Sequence, residues 1–389
     1  MNKNENLIDA VYSFEDARKL FPVTKSCIYL DSAHYSQYSL ETNRRLVNFI
    51  NEFTYTNKNL SLYINNKIVE LKEKIAILIN TKKENIILTG STTHGLNIFA
   101  NGITLKKGER VAFADTEFPA VVYPWLNQNK LRGIEYVYIS SDNGKIKIDD
   151  IEKAVRQNNV KVLTISSVEF LGFKNNLIEV SKICRKHNCY LVVDAIQSIG
   201  VCPMDVRKFN IDFLAAGSQK WMMSPAGIGF AYISDNMKKY VLPTYAATSC
   251  IKYDFKNFLK YELNFNDDGS AYENSTLNCL GMIGLESSIE LFLKLGVGNI
   301  FKHILTLLDL FISVLDKKKY LVESDIKKNS RSNILIFSHV DKSKNEYIQK
   351  YLEGKKIFIA LREGFLRVSP HLFNNENDIK ILVKELNII

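Results

Sequence analysis

The chain is poorest in the features that would place it outside ordinary globular chemistry. No run approaches the roughly 18–20 uncharged apolar residues that a membrane-spanning helix needs, so no membrane role is expected. The N-terminal residues Met1 to Asn6 are polar and include Glu5, and no continuous apolar segment with a small-residue cleavage site follows them. A secretory leader is therefore not expected, and the expected compartment is cytoplasmic. The six cysteines (Cys27, Cys184, Cys189, Cys202, Cys250, Cys279) form no C-x-x-C pair and no zinc-like spacing, so they are expected to be reduced thiols and no metal site is expected. The net charge of +9 is not clustered: Lys317-Lys318-Lys319 follows Asp316 and precedes Glu323 and Asp325. Tracking a nucleic-acid backbone needs clustered cations, so no nucleic-acid partner is expected, while a basic balance still suits small anionic substrates.

What the chain does have is size and ordinary composition. Its 389 residues exceed the roughly 250–300 at which single cores usually divide, which points to two domains. Hydrophobic residues at 46% and charged residues at 24% describe a globular protein. From Asn85 onward short β-branched runs alternate with amphipathic stretches, the pattern of a mostly parallel sheet covered by helices. The spacing predicts strands at Ile86–Thr89, Val111–Ala114, Val160–Ser166, Tyr190–Val193, Phe213–Ala216 and Gly229–Ile233, and a helix over Leu177–His187. After about Asp268 long helical patterns (Leu280–Leu295, Ile300–Leu315) precede short strands at Ile334–Phe337 and Leu366–Val368, the texture of a smaller α+β domain. Asn264–Ser270 is the most turn-rich stretch and the predicted linker. The expected division is residues 1–30 packing with the small domain, 31–268 as the large domain and 269–389 as the small one.

An open parallel sheet binds ligands beyond the carboxyl ends of its strands, so the residues there carry the chemistry. Val192-Val193-Asp194-Ala195-Ile196-Gln197 ends one strand, and Gly217-Ser218-Gln219-Lys220-Trp221 ends another. An acid at the first can hold a protonated pyridine nitrogen, so that the ring withdraws electrons, and a partly desolvated lysine at the second can condense with an aldehyde. These two segments alone also allow a plainer reading, with Asp194 a helix cap and Lys220 a surface lysine.

Further motifs follow in a fixed order. The chain resembles the class V aminotransferase-type proteins of pyridoxal 5'-phosphate (PLP) fold type I, a group with cysteine desulfurases and isopenicillin N epimerase-like proteins, from Ile28-Tyr29-Leu30-Asp31-Ser32-Ala33 to the C-terminus. The resemblance implies an α/β fold in which a large domain with a mostly parallel sheet binds PLP beside a smaller α+β C-terminal domain. It implies Lys220 as the Schiff-base lysine, Asp194 as the partner of the pyridine nitrogen and Gln197 as a neighbour of the phenolic oxygen. Thr89-Gly90-Ser91-Thr92-Thr93-His94 matches a phosphate turn, with Thr92 and Thr93 as phosphate contacts, Gln219 as a further one and Ser218 assisting. A strand running into small hydroxyl residues and a helix start also presents free amides and a dipole to an anion. Phe118, in Glu117-Phe118-Pro119, matches the aromatic that stacks on the cofactor, although a place in the core is open to it too. Glu273, Ser275, Thr276 and Asn278 match a motif whose threonine, Thr276, reaches the phosphate of a neighbouring subunit, which implies a homodimer with shared sites. Arg367 matches the carboxylate-binding position, where a planar guanidinium can grip a carboxylate by two parallel hydrogen bonds. Arg362 and His34 are further candidates to face the substrate, and His371 is open to a structural role.

Two departures shape the functional expectation. Ile357 to Arg367 is short and holds no cysteine, where desulfurases carry a nucleophilic one, and Ser167-Val168-Glu169-Phe170-Leu171-Gly172 lacks an asparagine that many relatives place near the cofactor. The expectation from these residues is an aminotransferase acting on a small amino acid, since that needs no added nucleophile. A side-chain lyase, C–S or other, or an epimerase is the alternative, and a persulfide-forming desulfurase is disfavoured.

Overall fold

The computed structural model describes residues 6–142, 144–252, 256–257, 259–274, 276–327 and 329–389. Its centre is a seven-stranded sheet in the order Ile86–Thr89, Gly229–Ile233, Phe213–Gly217, Tyr190–Asp194, Val160–Ser166, Arg110–Ala114 and Glu135–Ile139. Only Gly229–Ile233 runs antiparallel to its neighbours. Near-continuous apolar runs form these strands because both faces are covered. Alternate residues then enter two separate cores: Leu191 and Val193 join one and Val192 the other, and Ala216 and Phe213 divide in the same way. The six strands predicted for this sheet are all present, three with the predicted ends and three longer by one residue.

The strand Glu135–Ile139 was not among the predicted ones. It lies at the sheet edge with three of its five residues exposed, so the sequence Glu-Tyr-Val-Tyr-Ile carries no buried run to read. The turn-rich Asn264–Ser270 is also not an open connection. It leads into a buried turn at Gly269–Tyr272 packed against the first sheet strand, and Glu273 behind it accepts the Leu88 N–H at 2.8 Å while pairing with Lys72 at 2.7 Å.

A second, four-stranded antiparallel sheet has the order Ala360–Arg362, Phe365–Val368, Leu335–His339, Tyr320–Val322. The N-terminal segment reaches this part of the chain. Ile28–Tyr29 pairs in parallel with Ile357–Phe358, and Arg18 holds Asp378 at 2.8 Å. The helix Val297–Val314 is long and apolar enough, by length and composition, to cross a membrane. It carries Lys302 and Asp309 and buries Ile300, Ile304, Leu307, Leu308 and Phe311, packing on the C-terminal helix Glu376–Ile388.

The consequence for function is geometric. The strands ending at Thr89, Ala114, Ser166, Asp194 and Gly217 all stop at the same edge of the large sheet, and the hairpin of Ala360–Arg362 with Phe365–Val368 faces that edge. The turn of that hairpin is Glu363-Gly364, both with positive φ (48° and 78°), the backbone that a tight two-residue connection requires.

Candidate active site

A cavity of about 800 Å³ opens at this edge, a size that suits a cofactor with a small substrate. Ser91, Thr92 and Thr93 line one end of it. Ser91 caps the helix Thr92–Gly102 by accepting the His94 N–H at 3.1 Å, and the remaining first-turn amides stay free for an anion. Thr92 Oγ1 accepts the Gly217 N–H at 2.7 Å, which ties this turn to the strand that leads to Lys220. A Cβ at Gly217 would lie 2.7 Å from Gln219 Oε1 and 3.2 Å from Thr92 Oγ1, so a larger residue there would have to displace the Gln219 amide. Gln219 lines the same end.

The floor of the cavity holds acids without cations. Asp194 is buried, and its Oδ1 accepts the Ile196 N–H at 2.9 Å. No cation pairs with it among the described residues, and burial pushes its carboxyl up to about 6. Glu117 accepts both the Ser166 N–H and the Ser166 hydroxyl at 2.6 Å, and burial pushes it up to about 7. Beside it lies Glu169, whose Oε1 accepts from Asn175 at 2.9 Å and whose Oε2 is buried without a donor. Burial, and then the Glu117 charge, raise Glu169 well above the carboxylate range. Two buried carboxyl groups in contact cannot both ionise at neutral pH, so this pair shares a proton.

Lys220 stands above the floor, and burial pushes its amine down to about 8, only partly offset by Asp194. Its Nζ lies 5.4 Å from the centre of the Phe118 ring, and Phe118 meets Phe170 edge-on at 6.1 Å. Phe118 is 46% exposed, so it is a wall of the cavity and not core.

At the mouth the balance reverses. Arg367 is buried, with Nη1 donating to Phe170 O at 2.9 Å, Nη2 on Asp31 at 3.1 Å and Nε unpartnered. Arg362 and His34 line the same mouth, and His34 Nδ1 lies 3.5 Å from the other oxygen of Asp31.

Of the residues expected from the sequence, Lys220, Asp194, Gln197, Thr92, Thr93, Phe118, Gln219, Arg367, Arg362 and His34 line this one cavity. Gln197 also accepts from Trp221 Nε1 at 2.7 Å and donates to Ala33 O at 3.1 Å. Ser218 does not line it: its buried hydroxyl is shared between Pro225 O and Ile228 O, each at 2.9 Å. Thr276 is exposed away from the cavity, and Ser275 lies outside the described residues. His371 is buried with both ring nitrogens bonded, to Trp221 O and the Leu372 N–H. The Glu117–Glu169 pair and the Asp31 bridge had no assigned role in the sequence, although an acid inside the apolar run Val168-Glu169-Phe170-Leu171 is a usable signal.

These residues fit PLP. The anion turn takes a phosphate, the unpaired Asp194 takes a cationic ring nitrogen, Phe118 offers a ring face, and Lys220 has an amine near neutrality.

A family model described as aminotransferase class-V matches residues 28–382. A probable cysteine desulfurase of Borreliella burgdorferi is 27% identical over 417 aligned residues, covering 95% of this chain and 96% of the relative. Further curated relatives carry the same description. Among solved structures, a cysteine desulfurase from Thermococcus onnurineus superimposes with a TM-score of 0.86 at 22% identity, covering 97% of this chain and 98% of that one. A cystine C-S lyase, solved with its reaction product cysteine persulfide, does so at 0.86 and 19%, covering 94% and 98%. The fold is therefore the expected PLP fold type I. The relatives overturn the expectation of an aminotransferase, and with it the setting aside of desulfurase chemistry. The error was to let one absent cysteine decide the reaction. Lysine, acid and arginine are common to reactions that differ in which bond breaks next.

Proposed function

Because the chain belongs to the aminotransferase class-V family, we propose that it is a PLP-dependent lyase that breaks the C–S bond of a small sulfur-containing amino acid such as cysteine or cystine. The observation that carries the reading is one cavity with Lys220 over an unpaired Asp194 and Arg367 at the mouth. The names of the relatives support the C–S bond as the one broken. Pyridoxal 5'-phosphate supplies an electron sink for the bonding pair released at the substrate's α carbon.

The chain's own residues do the rest. Lys220 would hold the cofactor's aldehyde carbon, and Asp194 its ring nitrogen. Thr92, Thr93 and Gln219 would hold its phosphate against the helix start, and Phe118 would cover the ring. Arg367 orients the substrate carboxylate by charge-assisted hydrogen bonds. The Lys220 amine, brought down to about 8 by burial, can take a proton from the α carbon and return it near neutral pH. The same reading takes the enzyme as a cytoplasmic homodimer, with the exposed Thr276 directed at a second copy.

The test is to incubate the holoenzyme with L-cysteine or L-cystine, and separately with an amino acid and a keto acid. Release of sulfide or persulfide sulfur, lost in Lys220→Ala, is expected. Stoichiometric amino transfer with no sulfur released would overturn the proposal.

A further inference from the structure

The arginine that would bind the substrate carboxylate already holds a carboxylate of its own chain. Asp31 Oδ1 sits 3.1 Å from Arg367 Nη2, and Asp31 Oδ2 sits 3.5 Å from His34 Nδ1. Asp31 is thus a bridge between the cation that binds substrate and an imidazole in the same cavity. The remaining nitrogen of the guanidinium, Nε, is buried, unpartnered and available. His34 is the sole imidazole among the residues lining the cavity, and its side chain is 53% exposed at the mouth, in reach of water. Phe118, which also lines the cavity, can transfer no proton.

The charges around His34 are few. Asp31 favours its protonated form, and Arg362, Arg367 and Lys220 oppose it. Glu363, on the hairpin turn, lines the same cavity. Partial burial and the three cations hold the free imidazole below its usual range. A carboxylate placed on Arg367 would cancel one of those cations and compete for the nitrogen that Asp31 occupies.

We propose that Asp31 couples substrate binding to protonation of His34: a carboxylate arriving on Arg367 frees Asp31 to act on His34, whose proton then goes to the departing sulfur. The step deepens the C–S lyase reading and rests on it. Its atoms balance. Lys220 takes the α proton, the C–H pair becomes the Cα–Cβ double bond, and the Cβ–S bond breaks with its pair on sulfur. Sulfur receives the His34 proton, and the proton that Lys220 took is released to water while His34 regains one from water at the mouth, so no net acid or base is left. A free site therefore holds no ready acid, and an occupied one does. His34 is the catalytic residue in this scheme and Asp31 a positioning residue.

The experiment titrates isotope-labelled histidines in the full-length holoenzyme by NMR, with and without propionate, which has the carboxylate but no amine or sulfur. His34→Gln assigns the signal. Saturating propionate is expected to raise the His34 midpoint by about one pH unit, the size of effect that an opposite charge freed beside the imidazole gives. In Asp31→Asn the propionate-induced rise should shrink several-fold. A midpoint that propionate leaves unmoved in the unaltered protein overturns the coupling, with no variant needed. In sulfur release, His34→Gln should lower kcat by about 10²-fold with KM nearly unchanged, and should remove the fall in kcat at alkaline pH. An unchanged pH profile overturns the proton role. Absence of sulfur release from the unaltered enzyme would instead sink the lyase reading, and the titration would still decide the coupling.

Discussion

The floor and the mouth of the cavity are built on opposite charge logic. On the floor, Asp194 and Glu117, with Glu169 beside Glu117, are buried acids that no cation pairs with among the described residues. At the mouth, Arg367 and Arg362 gather beside His34, with Asp31 as the acid that Arg367 pairs with. The floor is short of a cation, and at the mouth the buried Nε of Arg367 is short of an acceptor. A molecule with a protonated ring nitrogen at one end and a carboxylate at the other satisfies both, which is the charge pattern of PLP joined to an amino acid. The difference teaches that each end is incomplete in a way that names what completes it.

The strongest way to break the comparison is at the mouth. Arg367→Met removes the charge-assisted grip on the carboxylate, for which about 1.5–3 kcal/mol is typical, so KM for the amino acid should rise by about 10- to 100-fold. A KM unchanged in steady-state sulfur release would show that the carboxylate binds elsewhere. The floor is tested by pH. Asp194 and Glu117 have raised folded values, so their contribution to stability is full below their unfolded values and is lost as pH rises through about 6 and about 7 respectively, and burial raises Glu169 in the same direction. Melting of the cofactor-free protein should therefore fall between pH 4 and pH 8. Asp194→Asn should recover about 3 kcal/mol at the upper end, and Glu169→Gln should recover stability in the same direction. Bound PLP, by pairing Asp194, should remove most of that fall, whereas a holoenzyme with the same pH slope would show that the floor does not meet a cation. The smallest effect is on the wall between the two ends. Phe118→Leu keeps an apolar surface but loses the ring, so cofactor affinity by fluorescence titration should drop about three- to tenfold.

Much of this was legible in the sequence because strand ends announce themselves. Val192-Val193-Asp194 and Ala216-Gly217-Ser218 pass from buried run to polar residue at one step, and the loops after them carry Gln197 and Lys220. The edge strand Glu135–Ile139 was not legible, since an exposed strand has no apolar run. Asp31 was visible only as part of a motif. Its bridging role comes from pairing between Ile28–Tyr29 and Ile357–Phe358, elements more than three hundred residues apart, which no local pattern records. The reaction was misjudged for a different reason: residues that hold a cofactor do not state which bond it helps to break.

The hydrogen bond from the Gly217 N–H to Thr92 Oγ1 has a consequence in time. It joins the helix start that receives phosphate to the strand that leads to the lysine, and both partners belong to the protein. The two halves of the cofactor seat are therefore held in register before any cofactor arrives. Loading then resembles docking onto a finished surface, and its rate should scale with cofactor concentration without a slow unimolecular ordering phase. In deuterium exchange, the Gly217 amide should already be protected in the empty protein and gain little when the seat is filled.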